Sequence, residues 1–409
     1  MIRKAITLLS LSALTITACK KVDSKPDTGK DLSLTAAEQQ KVAADNAFSL
    51  KLFNATLTGN ADADNLFLSP LSVSMAVGMT SNGAFGQTLH DIRNTMNFNG
   101  FTEDQVNSYY HKMITELPQL DPKTTLKFAN SIWYANTFTP IPAFLQANAS
   151  NYNARVQSAD FTSAATRDDI NNWVSNATDG KITNIIDNNI PTNARMYLIN
   201  AIYFKSGWAT KFDATQTKTD TFYLPSGGTV QTPLMNGEGD FNSANAADAR
   251  ILELPYTNNK FSMVILMPTQ KSVKEYAAGL DSAKWQTLMA GLGKTHATVT
   301  MPKFKFSYDT DLKNILSNMG MANAFSDIAD FTRINAAGGL SITEVKHKAY
   351  VEVNEDGTTA AAVTSVSVGA TVAAPNYFKF DHPFIFAIRE MKTGLVLFTG
   401  VVNNPTLSQ

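Results

Sequence analysis

The residues of this chain that could do chemistry are few and scattered. Five histidines (His90, His111, His296, His347 and His382) lie far apart, with no metal-ligand spacing among them. Each reads as a structural hydrogen-bonding group before it reads as a catalyst. The sequence holds no G-x-S-x-G, H-E-x-x-H, G-x-x-x-x-G-K-S/T or G-x-G-x-x-G. Asp62-Ala-Asp64-Asn65 begins like a calcium loop but lacks the glycine and terminal glutamate of that motif. A Ser/His/Asp triad is a spatial arrangement, and nothing in the sequence nominates one. The single cysteine, Cys19, excludes an internal disulfide and a cysteine-based zinc site. No metal and no cofactor is expected.

Cys19 has its own context. Arg3 and Lys4 precede a mostly apolar run over 5–16, followed by Ile16-Thr17-Ala18-Cys19. The run is too short to span a bilayer, and its basic flank suits a secretory signal. The last four residues resemble a bacterial lipoprotein processing box, which implies cleavage after residue 18 and a lipid on Cys19. Residue 20 is Lys, which by the same resemblance favours an outer-membrane address. The polar residues that follow, with Pro26 and Gly29, read as a flexible tether over 19–36. Across 409 residues, 34 Lys and Arg stand against 35 Asp and Glu, too balanced to grip nucleic acid.

The most informative stretch does no acid–base chemistry. All of 358–374 is Thr, Ala, Val, Ser or Gly, preceded by Glu355-Asp356-Gly357 and followed by Pro375. Thr358, Ala360, Ala362, Thr364, Val366 and Val368 alternate with Thr359, Ala361, Val363, Ser365, Ser367 and Gly369. Such alternation puts the first set on one strand face, small and mostly apolar, with Ser365 and Ser367 on the other. At about 3.3 Å per residue the stretch would reach roughly 56 Å, far beyond an ordinary strand. Left exposed, it would aggregate unless a place in a sheet were reserved for it. It reads as a loop able to become a strand.

The elements that must hold this loop are legible in outline. Thr35-Ala-Ala-Glu38 is a capping box opening a helix with Ala44, Phe48 and Leu52 in one stripe. Ser69-Pro70 starts a helix over 71–79, with proline in the favoured first turn. Ile170, Trp173, Val174 and Ala177 form another helical stripe, closed by Asp179-Gly180. Strand patterns occupy 128–134, 197–204, 261–267, 297–301 and 349–353, with a hairpin of 384–388 and 395–399. Helices crowd the first half and strands the second, which predicts an α+β fold.

The segment Lys346-His347-Lys-Ala-Tyr-Val-Glu-Val-Asn-Glu355-Asp-Gly357-Thr358-Thr-Ala360-Ala361-Ala362 resembles the reactive-loop hinge of the serpins, the serine protease inhibitor family. Asn65-Leu-Phe-Leu-Ser69-Pro70-Leu-Ser72, 198–208, Met301-Pro302-Lys303-Phe304, Asp381-His382-Pro383-Phe384 and 398–405 resemble other serpin segments, in order, from about 37 to 405. With the Cys19 box, the chain looks like the bacterial lipoprotein-type members. The resemblance implies three β-sheets, eight or nine surrounding helices and an exposed reactive-centre loop, as one domain over 37–409. It implies no enzyme of the turnover kind. A serine protease cuts the loop, is held as an acyl-enzyme, and is disabled as the cleaved loop enters the central sheet.

By the same resemblance, Glu355, Gly357, Thr358, Ala360, Ala361 and Ala362 form the hinge. Ser69, Ser72, Asn200 and His347 form the shutter where the sheet parts, and Trp208, Lys303 and Glu355 the breach where the loop enters. Family spacing forward from Gly357 puts the reactive residue at Thr371; counting back from Pro383 gives Val372, and a further slip Ala370 or Ala373. All are small or β-branched, which implies elastase-like or subtilisin-like proteases as partners and little inhibition of trypsin. A monomer is expected. The competing readings are a non-inhibitory serpin-fold surface binding protein and a hydrolase with a triad that leaves no motif.

Overall fold

The computed structural model describes residues 29–60, 64–187, 189–358 and 376–407. Its central sheet has six strands: β2 (Thr125–Ala135), β3 (Arg155–Ala159), β4 (Met196–Gly207), β10 (Phe304–Asp311), β11 (Lys346–Asn354) and β12 (Gly357–Thr358), in the order β10-β11-β12-β4-β2-β3. The second ladder has nine: β1 (Leu66–Leu68), β5 (Lys218–Tyr223), β6 (Thr229–Asn245), β7 (Ala249–Pro255), β8 (Phe261–Pro268), β9 (Gly293–Pro302), β13 (Asn376–Lys379), β14 (Phe384–Glu390) and β15 (Val396–Val402). The long β6 pairs with β5 over its first third, with β9 from Leu234 to Ser243 and with β7 at its end. Two of the three expected sheets are thereby joined in one hydrogen-bonded ladder. The sequence patterns missed β6, because Pro233, Gly237 and Gly239 break its apolar alternation. The glycines are there for space: a Cβ on Gly237 would stand 3.0 Å from the Phe212 ring.

Nine α-helical segments surround the sheets among the described residues: α1 (Ala36–Gly59), α2 (Pro70–Ser81), α3 (Gly86–Thr95), α4 (Glu103–Glu116), α5 (Pro142–Tyr152), α6 (Ala164–Ala177), α7 (Val273–Ala278), α8 (Ser282–Ala290) and α9 (Lys313–Leu316). The Thr35 capping box forms, with Thr35 Oγ1 accepting from the Glu38 N–H at 3.3 Å and Glu38 Oε2 from the Thr35 N–H at 2.7 Å. The α6 stripe packs Ile170 and Val174 into a small core with Trp133, Phe161 and Ile199 on one face of the central sheet. The main core fills the space between that sheet's other face, the second ladder and α1, α2 and α4. No described helix is long and apolar enough to cross a membrane.

One boundary moves. Residues 29–35, assigned by composition to the tether, lie against the domain. Leu32 is 1% exposed, the Lys30 N–H donates to the Leu120 carbonyl at 2.9 Å, and the Asp31 carboxylate meets Lys260 at 2.8 Å. Two leucines, Leu32 and Leu34, in a polar run are too weak a periodic signal to read as packing. Cys19 lies outside the described residues.

Candidate functional site at the mouth of the central sheet

β11 and β4 run parallel on either side of β12. Alternation in β11 buries His347, Ala349, Val351 and Val353 and turns Lys348, Tyr350 and Glu352 outward. β12 is only two residues long and antiparallel to both neighbours. Gly357 pairs with Asn354 and Gly207, and Thr358 with Val353 and Ser206. Among the described residues β4 and β11 share no ladder of their own, so β12 alone joins them. Gly357 has φ +152°, and a Cβ there would lie 2.2 Å from the Ser206 carbonyl oxygen. Only glycine lets the chain pass so close.

The mouth is built of aromatic stacking and ion pairs. Trp208 stacks on Tyr256 with ring centroids 4.6 Å apart, and its Nε1–H donates to the Asn354 carbonyl at 2.9 Å. Tyr256 OH and Thr358 Oγ1 are 2.6 Å apart, and Thr358 is 3% exposed. The hinge residue Thr358 is thus already inside. Lys303 Nζ reaches Glu355 Oε2 at 2.9 Å, and the Thr217 hydroxyl donates to Glu355 Oε1 at 2.7 Å. Burial by itself would raise the Glu355 carboxyl, but the bonds from Thr217 and Lys303 outweigh it and hold it below the usual carboxylate range. Lys211 pairs with Asp356 at 2.8 Å. Trp208, Lys303 and Glu355, named from the sequence, therefore meet here. Tyr256, Thr217 and Lys211 were not named, and their positions far along the chain carry no motif.

The shutter residues meet lower in the same cleft. His347 Nε2 accepts from the Ser69 N–H at 3.2 Å, so its proton sits on Nδ1 at neutral pH. Burial pushes the imidazole down to about 4. Ser69 Oγ donates to the Leu397 carbonyl at 2.9 Å and accepts from the Ser72 N–H at 3.2 Å, capping α2. Ser72 Oγ donates to Asn200 Oδ1, and the Asn200 amide donates to Asn130 Oδ1. Asn130 passes the chain on to the Tyr152 carbonyl at 2.7 Å, and the Tyr152 hydroxyl donates to Asn107 at 2.9 Å. Asn130 and Tyr152 were missed. A polar residue inside the apolar alternation of β2 was the signal for Asn130.

Below this cluster lies a cavity of about 390 Å³, bounded by Val77, Leu198, Asn200, Phe331, Ile342 and His347 among others. The other hinge residues (Ala360, Ala361, Ala362) and the reactive-bond candidates (Ala370, Thr371, Val372, Ala373) lie outside the described residues. His347 Nε2 accepts from a backbone N–H, and among the described residues no hydroxyl is hydrogen-bonded to it, unlike the histidine of a hydrolytic triad.

The sequence model of the family described as "Serpin (serine protease inhibitor)" matches residues 43–405. An uncharacterized serpin-like protein of Thermococcus kodakarensis is 30% identical, over 93% of this chain and 89% of its own. The leukocyte elastase inhibitor of Bos taurus is 33% identical, over 90% of this chain and 100% of its own. Among solved structures, that of tengpin, a thermophilic serpin in its native state, matches with a TM-score of 0.82 at 34% identity, covering 92% of this chain and 96% of tengpin. Sequence, fold and the glycine-threaded mouth agree, and the chain belongs to the serpin family, a family of protease inhibitors that carries no catalytic role as such.

Proposed function

We propose that this protein is a suicide inhibitor of serine proteases, cut in its reactive loop and completed by insertion of that loop between β11 and β4. The observation that carries the reading is β12, two residues already seated between those strands with the side chain of Thr358 turned into the core. Each step forward from Thr358 steps back by one on both neighbours. In an inserted strand Ala360 would face Val351 and Phe204, Ala362 would face Ala349 and Ile202, and Thr364 would reach His347 and Asn200. Small side chains fall where the core is already packed, and a hydroxyl falls at the polar shutter. Val368 would lie opposite Met196, the first residue of β4, so the ladder ends where the alternation gives way to Gly369. No position on the inward face is charged.

In this reading the bond cut follows Thr371, with Val372, Ala370 and Ala373 as the alternatives by register. Small and β-branched residues suit the shallow apolar pocket of elastase-like enzymes and the tolerant pocket of subtilisin-like ones. A trypsin-like pocket would keep its buried carboxylate without a cation. The likeness to a leukocyte elastase inhibitor supports the same class. The protein acts as a monomer, held at the outer membrane by lipid on Cys19. Incubation with a protease panel tests the inhibitory reading. SDS-stable complexes with elastase- or subtilisin-type enzymes are expected, with the released peptide beginning between Thr371 and Ala374. Cleavage without trapping would favour a non-inhibitory surface binder, and steady peptide turnover a hydrolase. Cys19→Ser should move the protein from the membrane to the soluble fraction; continued pelleting with membranes would overturn the anchor.

A further inference from the structure

We propose that the lipid tether holds the mouth end of the central sheet toward the membrane, so that the protein guards a layer next to the bilayer and its partners are serine proteases that enter that layer. The inference rests on the proposed lipid at Cys19 and on the inhibitory reading, and adds an orientation that neither contains.

The chain leaves the domain at a fixed place. The Lys30 N–H donates to the Leu120 carbonyl at 2.9 Å, and the Asp31 carboxylate pairs with Lys260 at 2.8 Å and with Lys392 at 3.3 Å. These partners lie in three turns: the one leading from α4 into β2, the β7–β8 turn and the β14–β15 turn. Exposed ion pairs alone would hold such a strap weakly. Leu32, however, is fully buried, and Leu34 packs half-buried against the main core. Burial of one leucine contributes about 1.5–3 kcal/mol, enough to keep the strap seated for most of the time.

The strap sits at the end of the molecule where the reactive loop begins. Next to Leu120, the buried Asp121 carboxylate accepts from the hydroxyls of Thr124 at 2.8 Å and Thr257 at 2.9 Å and from the Asn258 amide at 2.7 Å. Thr257 Oγ1 lies 3.3 Å from Ser206 Oγ, and Ser206 is the β4 residue that pairs with Thr358. The Met391 N–H donates to the Lys260 carbonyl at 2.9 Å, which brings the third turn to the same end. β4 runs from Gly207 here to Met196 at the lower end. That is about 36 Å at roughly 3.3 Å per residue. Phe331 and Ile334 border the cavity together with Met196, so the loop that carries the exposed Ile328 belongs to the lower end.

Reach then fixes the orientation. Cys19 precedes Gly29 by ten positions. In any conformation that stretch spans at most about 36 Å. The mouth end cannot move farther than this from the bilayer, whereas the lower end swings out to about twice the distance. A globular protease of ~220 residues has a radius of gyration near 17 Å and is roughly 44 Å across. It does not fit between the mouth and the bilayer, and it is caught only from the side, within the layer that the tether defines.

The test uses the lipidated protein on vesicles of phosphatidylethanolamine and phosphatidylglycerol that carry a fluorescent acceptor lipid. Cys19 is the only cysteine, so Thr210→Cys beside the mouth and Ile328→Cys at the lower end each give one labelling site, and both positions are exposed. Energy transfer from residue 210 should exceed that from residue 328 by about twofold or more, given the ~36 Å between the two ends of β4. A Gly/Ser insertion of about twenty residues before Gly29, which leaves the folded domain untouched, extends the reach to about 110 Å and should abolish the difference. The same insertion should raise the rate at which a soluble elastase-type protease is trapped by about twofold, as approaches from the bilayer side open. Leu32→Ser, which loosens the strap, should shift both readouts in the same direction by less. Equal transfer from the two labels, or equal trapping rates with and without the insertion, would overturn the orientation and leave the anchor standing. Failure of the lipidated protein to bind the vesicles would overturn the anchor, and failure of soluble Cys19→Ser to trap any serine protease the inhibitory reading, each taking this inference with it.

Discussion

The upper and lower ends of the cleft between β4 and β11 are built on opposite plans. At the top, the Trp208–Tyr256 stack, the Lys303–Glu355 and Lys211–Asp356 pairs and the two ladder residues of β12 close the sheet tightly. At the bottom, Ser69, Ser72, Asn200 and His347 link through buried hydrogen bonds above a cavity of about 390 Å³. On the proposed insertion, the top would admit one strand in one register. The bottom would exchange its polar bonds for those of the arriving strand. An insertion that starts at Thr358 therefore begins where geometry is most constrained and ends where room remains.

The sharpest way to break this contrast is at Thr358. Thr358→Arg would force a charge into the buried space that the Thr358 side chain fills beside Tyr256, at a cost on the order of several kcal/mol. The strand should then fail to seat, and the inhibitor should be cleaved as a substrate. Densitometry of complex against cleaved product measures this directly, and near-normal trapping would refute seating from Thr358 onward.

Acid attacks the lower end. The His347 imidazole titrates near 4 in the folded protein, against about 6.5 when unfolded. The unfolded chain thus takes up the proton first as the pH drops. The contribution of this group is intact above pH 6.5 and is lost progressively down to pH 4. The full loss is about 3 kcal/mol. Unfolding should accelerate over that window, and His347→Gln should flatten the dependence. An unchanged pH profile in the variant would assign the acid sensitivity elsewhere. Asn200→Ala removes the link between Ser72 and Asn130 and should cost about 1–3 kcal/mol, read from the urea midpoint, without altering that pH profile.

How much of this was legible depended on range. The alternation that buries Val351 and Val353 and the cap on α2 are local, and the sequence carried them plainly. The small inward set from Thr358 to Val368 also announced a strand without a home. The mouth proposed to receive it is not local: Tyr256 and Thr217 lie 102 and 138 residues from the hinge groups they bond. Nor could composition show that Leu32 is docked, or that Gly237 sits in a strand because a ring occupies the space of its side chain. Period and capping act between neighbours, whereas these contacts exist only once the chain has closed on itself.

The smallest effect is expected at the breach ion pair. Lys303 is 40% exposed and Glu355 13%, so water and salt screen the attraction from one side only. Lys303→Ala removes that partner but leaves Glu355 its bond from Thr217 and the mouth its aromatic stack. The loss should therefore be about 0.5–1 kcal/mol at low salt and smaller at 1 M. Glu355 is also held below the normal carboxylate range, so its contribution is present above its unfolded pKa and lost as the pH falls toward the folded one. Below that range wild type and Lys303→Ala should converge. A variant that loses several kcal/mol, or loses the same amount at every salt and pH, would mean that Lys303 shapes the mouth itself. The tight upper end would then depend on charge as much as on the tryptophan stack.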